Sequence, residues 1–328
     1  MTDFAKGNIG NILKKFQSII ALLVLCIVLA LMSDKFLTSE NMWNIMRQIS
    51  INVCISVGMT LVILTRGIDL SVGSILAFSG AVAAGLYKSG IEIPSMDLYI
   101  GFTILGAILA GFSVGGTLGA FNGWVITRFK IPSFVATLAM LTIARGATML
   151  WTGGFPITGL GSNFAFIGTG WFLGIPMPVW ITIVVVIIAM IITNRTKFGR
   201  YIYAIGGNES AARLSGINIS KIKIWVYTIA GLLAAVGGII LTSRLDSAQP
   251  NAGLTYELDS IAAVVIGGTS LSGGRGSIIG TVQGALIIGV LNSGLVLLNV
   301  SPFWQQIIKG FVILFAVIMD RINHPNEE

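Results

Sequence analysis

The chain has 328 residues and a formal net charge of +7, but only 10% of its residues are charged while 55% are hydrophobic. A soluble domain has about 25% charged residues, so this composition excludes a soluble globule, a disordered chain and a secreted disulfide scaffold. In a membrane chain the excess of Lys and Arg reflects cationic cytoplasmic loops, so we expect no nucleic-acid partner. Two Cys and one His leave no set of metal ligands, and no P-loop motif occurs.

Ten apolar segments are candidates for membrane-spanning helices, each of which needs roughly 20 residues. In chain order they cover residues 17–33, 49–65, 72–87, 98–126, 133–151, 179–193, 225–243, 259–271, 277–298 and 302–319. With the N-terminus inside, 14 of the 20 Lys and Arg residues fall in cytoplasmic segments, as the positive-inside rule requires. We therefore predict an all-α integral membrane protein with about ten transmembrane helices and both termini in the cytoplasm.

The predicted organisation is a single polytopic domain at 17–320 between cytoplasmic segments at 1–16 and 321–328. The largest cytoplasmic loop covers residues 194–224. In this loop Asn208 is a suitable N-cap, Glu209 suits the positive end of a helix, and Gly216 suits a left-handed residue after its end. These residues predict a helix of about two turns at 209–215. It is either a docking element or an ordinary amphipathic connector.

A weak internal repeat marks two breaks in the apolar pattern. The sequence GIDLSVGSI at 67–75 precedes a short predicted span, and GTSLSGGRGSI at 268–278 follows another. Short, Gly-interrupted helices in the two halves of a chain are typical of a transport pathway. The alternative is close helix packing, which small residues permit in membranes.

Polar side chains inside the predicted spans are costly to bury, and each is a candidate for a transport pathway. Asp69 lies at the first break, where its partner is either Arg66 or the helix N-terminus near Ser71. The candidates with amide side chains are Asn52, Asn122, Gln283 and Asn292. They either bind the hydroxyls of a neutral polyol or form hydrogen bonds between helices.

Several longer stretches resemble the permease subunits of bacterial sugar importers of the ATP-binding-cassette type, in the branch that handles ribose, xylose, arabinose and galactose. They are VGMTLVILT at 57–65 with GIDLSVGS at 67–74, GRYIYAIGGNE at 199–209 with AARLSGI at 211–217, and SAQP at 247–250 with YELDSIAAVVIGGTSL at 256–271. The resemblance covers about residues 17–320, and the sequences of these motifs are most similar to those of ribose permeases. Arg66 departs from the pattern, since a small or polar residue is expected there.

The resemblance implies a multi-pass subunit of the bacterial inner membrane, surrounded by lipid, that moves a monosaccharide and is not itself an enzyme. Its implied partners are a second permease copy, a cytoplasmic ATPase with two cassettes that binds ATP and Mg²⁺, and a periplasmic or lipid-anchored sugar-binding protein. No cofactor is expected in this chain. The loop at 206–217 then takes the place of the segment that couples to the ATPase. The residues assigned to it are Gly207, Asn208, Glu209, Ala211, Ala212, Arg213 and Gly216.

Under this interpretation the pathway lies at the interface of two permease copies. Its candidate lining residues are Asn52, Asp69, Ser71, Asn122, Ser270 and Asn292. The candidate contacts with the binding protein are Arg47, Lys88, Arg244, Glu257 and Asp259. We expect no catalytic residue and no metal site. The alternative function is an ion-coupled secondary sugar transporter that acts alone.

Overall fold

A computed structural model describes residues 18–323, so the predicted segment 1–16 and the end of the tail, including His324, lie outside the described residues. Within 18–323 the chain forms thirteen α-helices. They are α1 Ser18–Met32, α2 Ser39–Leu64, α3 Val72–Ser89, α4 Ile104–Phe129, α5 Ser133–Thr152, α6 Ser162–Thr169, α7 Met177–Arg195, α8 Lys197–Gly207, α9 Glu209–Leu214, α10 Ile219–Arg244, α11 Tyr256–Ile266, α12 Ile278–Leu297 and α13 Pro302–Asn323.

Six short strands connect the helices in three antiparallel pairs. They are β1 Ile91–Ile93, β2 Leu98–Ile100, β3 Ile157–Thr158, β4 Trp171–Phe172, β5 Ile175–Pro176 and β6 Ser247–Ala248. β1 pairs with β2 and β4 with β5, each as a local hairpin. β3 pairs with β6 across the chain, with Ile157 opposite Ala248. This last pair ties the α5–α6 connection to the end of α10.

Each of the ten predicted spans contains a helix, and seven helices among the described residues are long and apolar enough to cross a membrane: α2, α3, α4, α5, α7, α10 and α12. The other three predicted spans contain α1, α11 and the apolar part of α13, all of which are shorter. The prediction of an all-helical, multi-pass protein agrees with this architecture. The count of ten spans and the side on which the termini lie stay predictions.

The bounds differ from the prediction mainly at the polar ends of helices. α2 begins at Ser39 rather than near residue 49, because Thr38 caps it by accepting a hydrogen bond from the Asn41 amide. Its first turns carry polar and charged residues, which lower the local hydropathy. A search for apolar segments therefore leaves these turns out of the predicted span. Residues 98–100, predicted as part of a span, form β2 instead.

The helices form an inner and an outer layer. α2, α3 and α12 are mostly buried, whereas α4, α5 and α7 expose much of their surface. The exposed side chains of the outer helices are large and apolar, for example Leu105, Leu138 and Ile188. Such a surface suits lipid rather than water, in agreement with the composition.

Glycines allow α4 and α10 to pack backbone against backbone. A Cβ atom on Gly119 would overlap the Tyr227 carbonyl, and one on Gly231 would overlap the Gly115 carbonyl. Small residues at such crossings let membrane helices approach closely enough for dispersion contacts along their full length. This packing holds the outer helix α4 against α10.

We expect Gly119→Ala to destabilise the fold, since its methyl group meets rigid backbone and overpacking costs about 1–3 kcal/mol. Gly146→Ala in α5 is the matched control, because no atom lies within 4 Å of its added Cβ. Thermal unfolding in detergent should show a lower midpoint for Gly119→Ala and an equal or higher one for the control. Equal midpoints for Gly119→Ala and the wild-type chain would contradict this packing.

Candidate functional site

The helix predicted at 209–215 is present as α9, Glu209–Leu214. Its N-cap is Asn208, whose side-chain oxygen accepts a hydrogen bond from the Ala211 amide at 2.9 Å. Gly216 follows the helix with a φ of +84°, the left-handed conformation predicted for it. α9 lies at one end of the bundle, together with the last turn of α2 and the first turn of α10. We refer to this as the α9 end.

Glu209 fixes α9 to the rest of the bundle. Its two carboxylate oxygens accept from Arg213 at 3.2 Å and from Lys223 on α10 at 2.8 Å. Burial raises the pKa of Glu209, but the bonds and charges of Lys223 and Arg213 outweigh it, so that the pKa lies below its usual value. The carboxylate is therefore ionised at neutral pH and joins α9 to α10.

Most of the residues assigned to the coupling segment lie on the surface. Gly207, Asn208, Ala211, Arg213 and Gly216 are exposed, and Glu209 is partly so. Ala212 is buried and packs below them with Ile205 and Ile219. Leu214, which the sequence analysis missed, is 91% exposed. The sequence feature that could have identified Leu214 is a large apolar residue in the last turn of a short polar helix.

A groove of about 510 Å³ separates α9 from the neighbouring ends of α4 and α10. Three basic side chains line it, those of Lys130, Arg213 and Lys223. Glu209 also lines the groove, where its carboxylate pairs with Arg213 and Lys223.

Asp69, Ser71 and Asn122 form one buried hydrogen-bond network. Asp69 Oδ1 accepts from the Ser71 amide at 2.9 Å and from its hydroxyl at 2.6 Å. Asn122 Nδ2 donates to Ser71 Oγ at 2.9 Å. Of the two partners predicted for Asp69, the helix N-terminus is therefore the observed one, since α3 begins at Val72. Arg66 instead donates to the carbonyls of Gly206 and Gly207.

A second polar group lies in the half of the bundle away from α9. Asp259 Oδ2 accepts from Lys309 Nζ at 2.9 Å and from Asn292 Nδ2 at 3.4 Å. A cavity of about 100 Å³ adjoins these residues and is also lined by Gln48 and Asn52. Four helices, α2, α11, α12 and α13, supply these polar groups.

The six predicted pathway residues therefore divide into three places. Asn52 and Asn292 line the polar cavity, while Asp69, Ser71 and Asn122 form the network near the α9 end. Ser270 is buried in the loop between α11 and α12, where its amide donates to the Arg275 carbonyl. The structure does not bring the six together into one site.

Residues 41–317 match the family model described as the permease component of branched-chain amino acid transport systems. The chain belongs to this permease family.

Individual relatives of the permease match over almost the full chain. The ribose import permease of Bacillus subtilis (strain 168) is 49% identical over 98% of this chain and 97% of its own length. The ribose import permease of Escherichia coli (strain K12) is 51% identical over 93% and 92%. A xylose transport permease of the same E. coli strain is 36% identical over 94% and 92%. No solved structure matches the chain significantly.

The residues predicted to bind a partner protein are spread over the end of the permease opposite α9. Arg47 lies 4.9 Å from the centre of the Trp171 ring, Arg244 donates to Asn44 at 2.7 Å, and Lys88 donates to the Thr158 carbonyl. Glu257 is partly exposed. Asp259 differs from the prediction, because it is only 4% exposed and paired with Lys309. It belongs to the polar cavity rather than to the surface.

We expect Lys309→Met to destabilise the permease, because it leaves the Asp259 carboxylate buried without its cation. Breaking a buried pair costs roughly 3–5 kcal/mol, and we expect the lower part of that range, since the Lys309 side chain is 21% exposed. The control is Lys309→Met combined with Asp259→Asn, which removes both charges and should recover most of the loss. Unfolding midpoints in detergent measure both, and an unchanged midpoint for Lys309→Met would show that the pair contributes nothing.

Proposed function

We propose that this permease is the membrane subunit of an ATP-driven importer for a monosaccharide, with ribose as the first candidate. The observation that carries the proposal is α9: a capped helix with an exposed Leu214, fixed to α10 by the Glu209–Lys223 pair. The α9 helix thus provides a surface through which a bound partner can move the helix bundle. The likeness to two ribose import permeases over 98% and 93% of the chain supports the substrate class.

In this proposal α9 faces the cytoplasm and binds a separate ATPase subunit with two cassettes, which holds ATP and Mg²⁺. The bundle crosses the inner membrane ten times with both termini in the cytoplasm. A second permease copy completes the pathway, and a sugar-binding protein delivers the sugar at the opposite end, where Arg47, Lys88, Arg244 and Glu257 lie. The permease itself performs no covalent chemistry.

The polar cavity is the part of the described chain best suited to pass a sugar. Its amide groups can donate to and accept from sugar hydroxyls without a net charge, and the Asp259–Lys309 pair is internally neutralised. At about 100 Å³ it is small for a pentose in this conformation, so the sugar would pass as the surrounding helices separate. Weak, replaceable hydrogen bonds favour release over retention.

The test is uptake of labelled ribose by proteoliposomes that contain the permease, the ATPase and a ribose-binding protein. We expect uptake that requires ATP and the binding protein, resists a protonophore, and is poorly inhibited by excess xylose or galactose. Uptake that persists without the ATPase and stops with the protonophore would instead favour an ion-coupled transporter that acts alone.

For the docking surface, we expect Glu209→Lys combined with Gly216→Pro to abolish ATPase association and ribose uptake while leaving membrane insertion intact. The first change reverses the charge facing Lys223, and proline cannot adopt the positive φ of Gly216. Glu92→Lys, an equal charge change on the exposed β1 strand, is the control. Co-purification of the ATPase with the double variant at wild-type yield would exclude α9 as the docking element.

For the pathway, we expect Asn52→Leu to lower ribose uptake about tenfold with normal complex assembly. The change keeps the number of side-chain heavy atoms and the branch at Cγ, and it removes hydrogen bonds to the sugar, each worth roughly 0.5–1.5 kcal/mol. Uptake kinetics at several ribose concentrations measure the effect. Wild-type kinetics would remove Asn52 from the pathway.

A further inference from the structure

Three segments meet at the α9 end and form a contact that we call the junction: residues 64–66 at the end of α2, residues 206–207 at the end of α8, and residues 273–276 between α11 and α12. The Gly274 amide donates to the Leu64 carbonyl at 3.0 Å. Tyr203 on α8 donates its hydroxyl to the Gly276 carbonyl at 2.9 Å. The second copy of the internal repeat, and the residue just before the first copy, therefore contact α8, the helix that leads into α9.

Arg66 is the side chain that spans the junction. Its Nε donates to the Gly206 carbonyl and its Nη2 to the Gly207 carbonyl, both at 2.8 Å. These are the last two residues of α8, where the final carbonyls of a helix have no partner within it and where a cation is favoured. Arg66 thus caps α8 from the end of α2.

The residues that Arg66 holds are the two adjacent glycines that end α8, separated from α9 by Asn208 alone. Glycine has more backbone freedom than any other residue, and such a pair would serve as a hinge between α8 and α9. A hinge would absorb a movement of α9 before it reached the bundle. By fixing both carbonyls with one planar guanidinium, Arg66 removes that freedom and joins α9 to α2.

Arg66 makes this contact from a strained backbone conformation. Its φ is +62°, in the left-handed region that non-glycine residues rarely adopt. A glycine would adopt it without cost but would provide no side chain to reach α8. The arginine at this position is therefore explained by its side-chain contacts and not by the conformation of the loop.

We propose that Arg66 is a positioning residue for transport: it transmits the movement of α9 to α2, and without it ATP hydrolysis is uncoupled from sugar movement. The inference rests on the proposed function, in which α9 binds the ATPase. Arg66 holds the carbonyls of Gly206 and Gly207, whereas the face of α9 that would meet the ATPase consists of Ala211, Arg213 and Leu214, so docking and transmission are separable.

The test compares Arg66→Lys and Arg66→Gly in the assembled complex of permease, ATPase and binding protein. Lysine keeps the charge but lacks the fork that reaches two carbonyls. Glycine removes the link but adopts the positive φ without strain, so the relieved strain offsets part of the stability lost with the two hydrogen bonds. Arg128→Lys, on an exposed arginine in the last turn of α4, is the matched control.

We expect both Arg66 variants to co-purify with the ATPase at wild-type yield and to hydrolyse ATP. The number of ribose molecules imported per ATP hydrolysed should fall about tenfold or more, while the control keeps the wild-type ratio. A merely structural role would reduce the yield of complex and leave this ratio unchanged for the complex that remains.

Two results would overturn the proposal: a wild-type ratio of ribose to ATP in both variants, or loss of ATPase association in Arg66→Gly. Failure of the proposed function itself looks different. It would appear in the chain with Arg66 intact, as ATP-independent uptake or as normal ATPase association of the Glu209→Lys, Gly216→Pro variant.

Discussion

The need to satisfy backbone hydrogen bonds where helices are interrupted inside an apolar bundle governs the rest of this structure. Each unpaired amide or carbonyl in such surroundings costs several kcal/mol. At the first break, the Ile68 and Leu70 amides donate to Ser133 and Thr137 of α5, both at 3.1 Å. At the second, backbone groups of α2 and a tyrosine of α8 provide the partners. The breaks therefore fix where α5 and α8 must lie.

This constraint gives Asp69 a structural role before any role in transport. Its Oδ1 satisfies the Ser71 amide and hydroxyl at the start of α3, and Asn122 extends the network to α4. A fully buried carboxylate is costly, and these bonds offset only part of that cost. Asp69 Oδ2 has no hydrogen-bond partner among the described residues. The network thus combines a structural function with an oxygen that remains available to a polar group.

Local features of the sequence predicted the parts of the site that local interactions determine. The cap at Asn208, the left-handed Gly216 and the helix N-terminus near Asp69 each depend on residues only a few positions apart, and the structure has all three. The pairing of Asp259 with Lys309 joins residues separated by 50 positions, and Arg66 reaches Gly206 across 140. No periodicity or spacing encodes such contacts, so Asp259 was assigned to the surface and the role of Arg66 was not found.

One helix connects the two polar regions. α2 is a continuous, largely buried helix of 26 residues that ends at the junction and carries Asn52 on the polar cavity. The 12 positions from Asn52 to Leu64 correspond to about 18 Å along the helix axis. A helix with intact hydrogen bonds and close packing moves as a unit, because protein interiors do not deform continuously. A displacement of Leu64 and Arg66 is therefore transmitted along α2 to the groups that line the cavity, and no other helix is needed to transmit it.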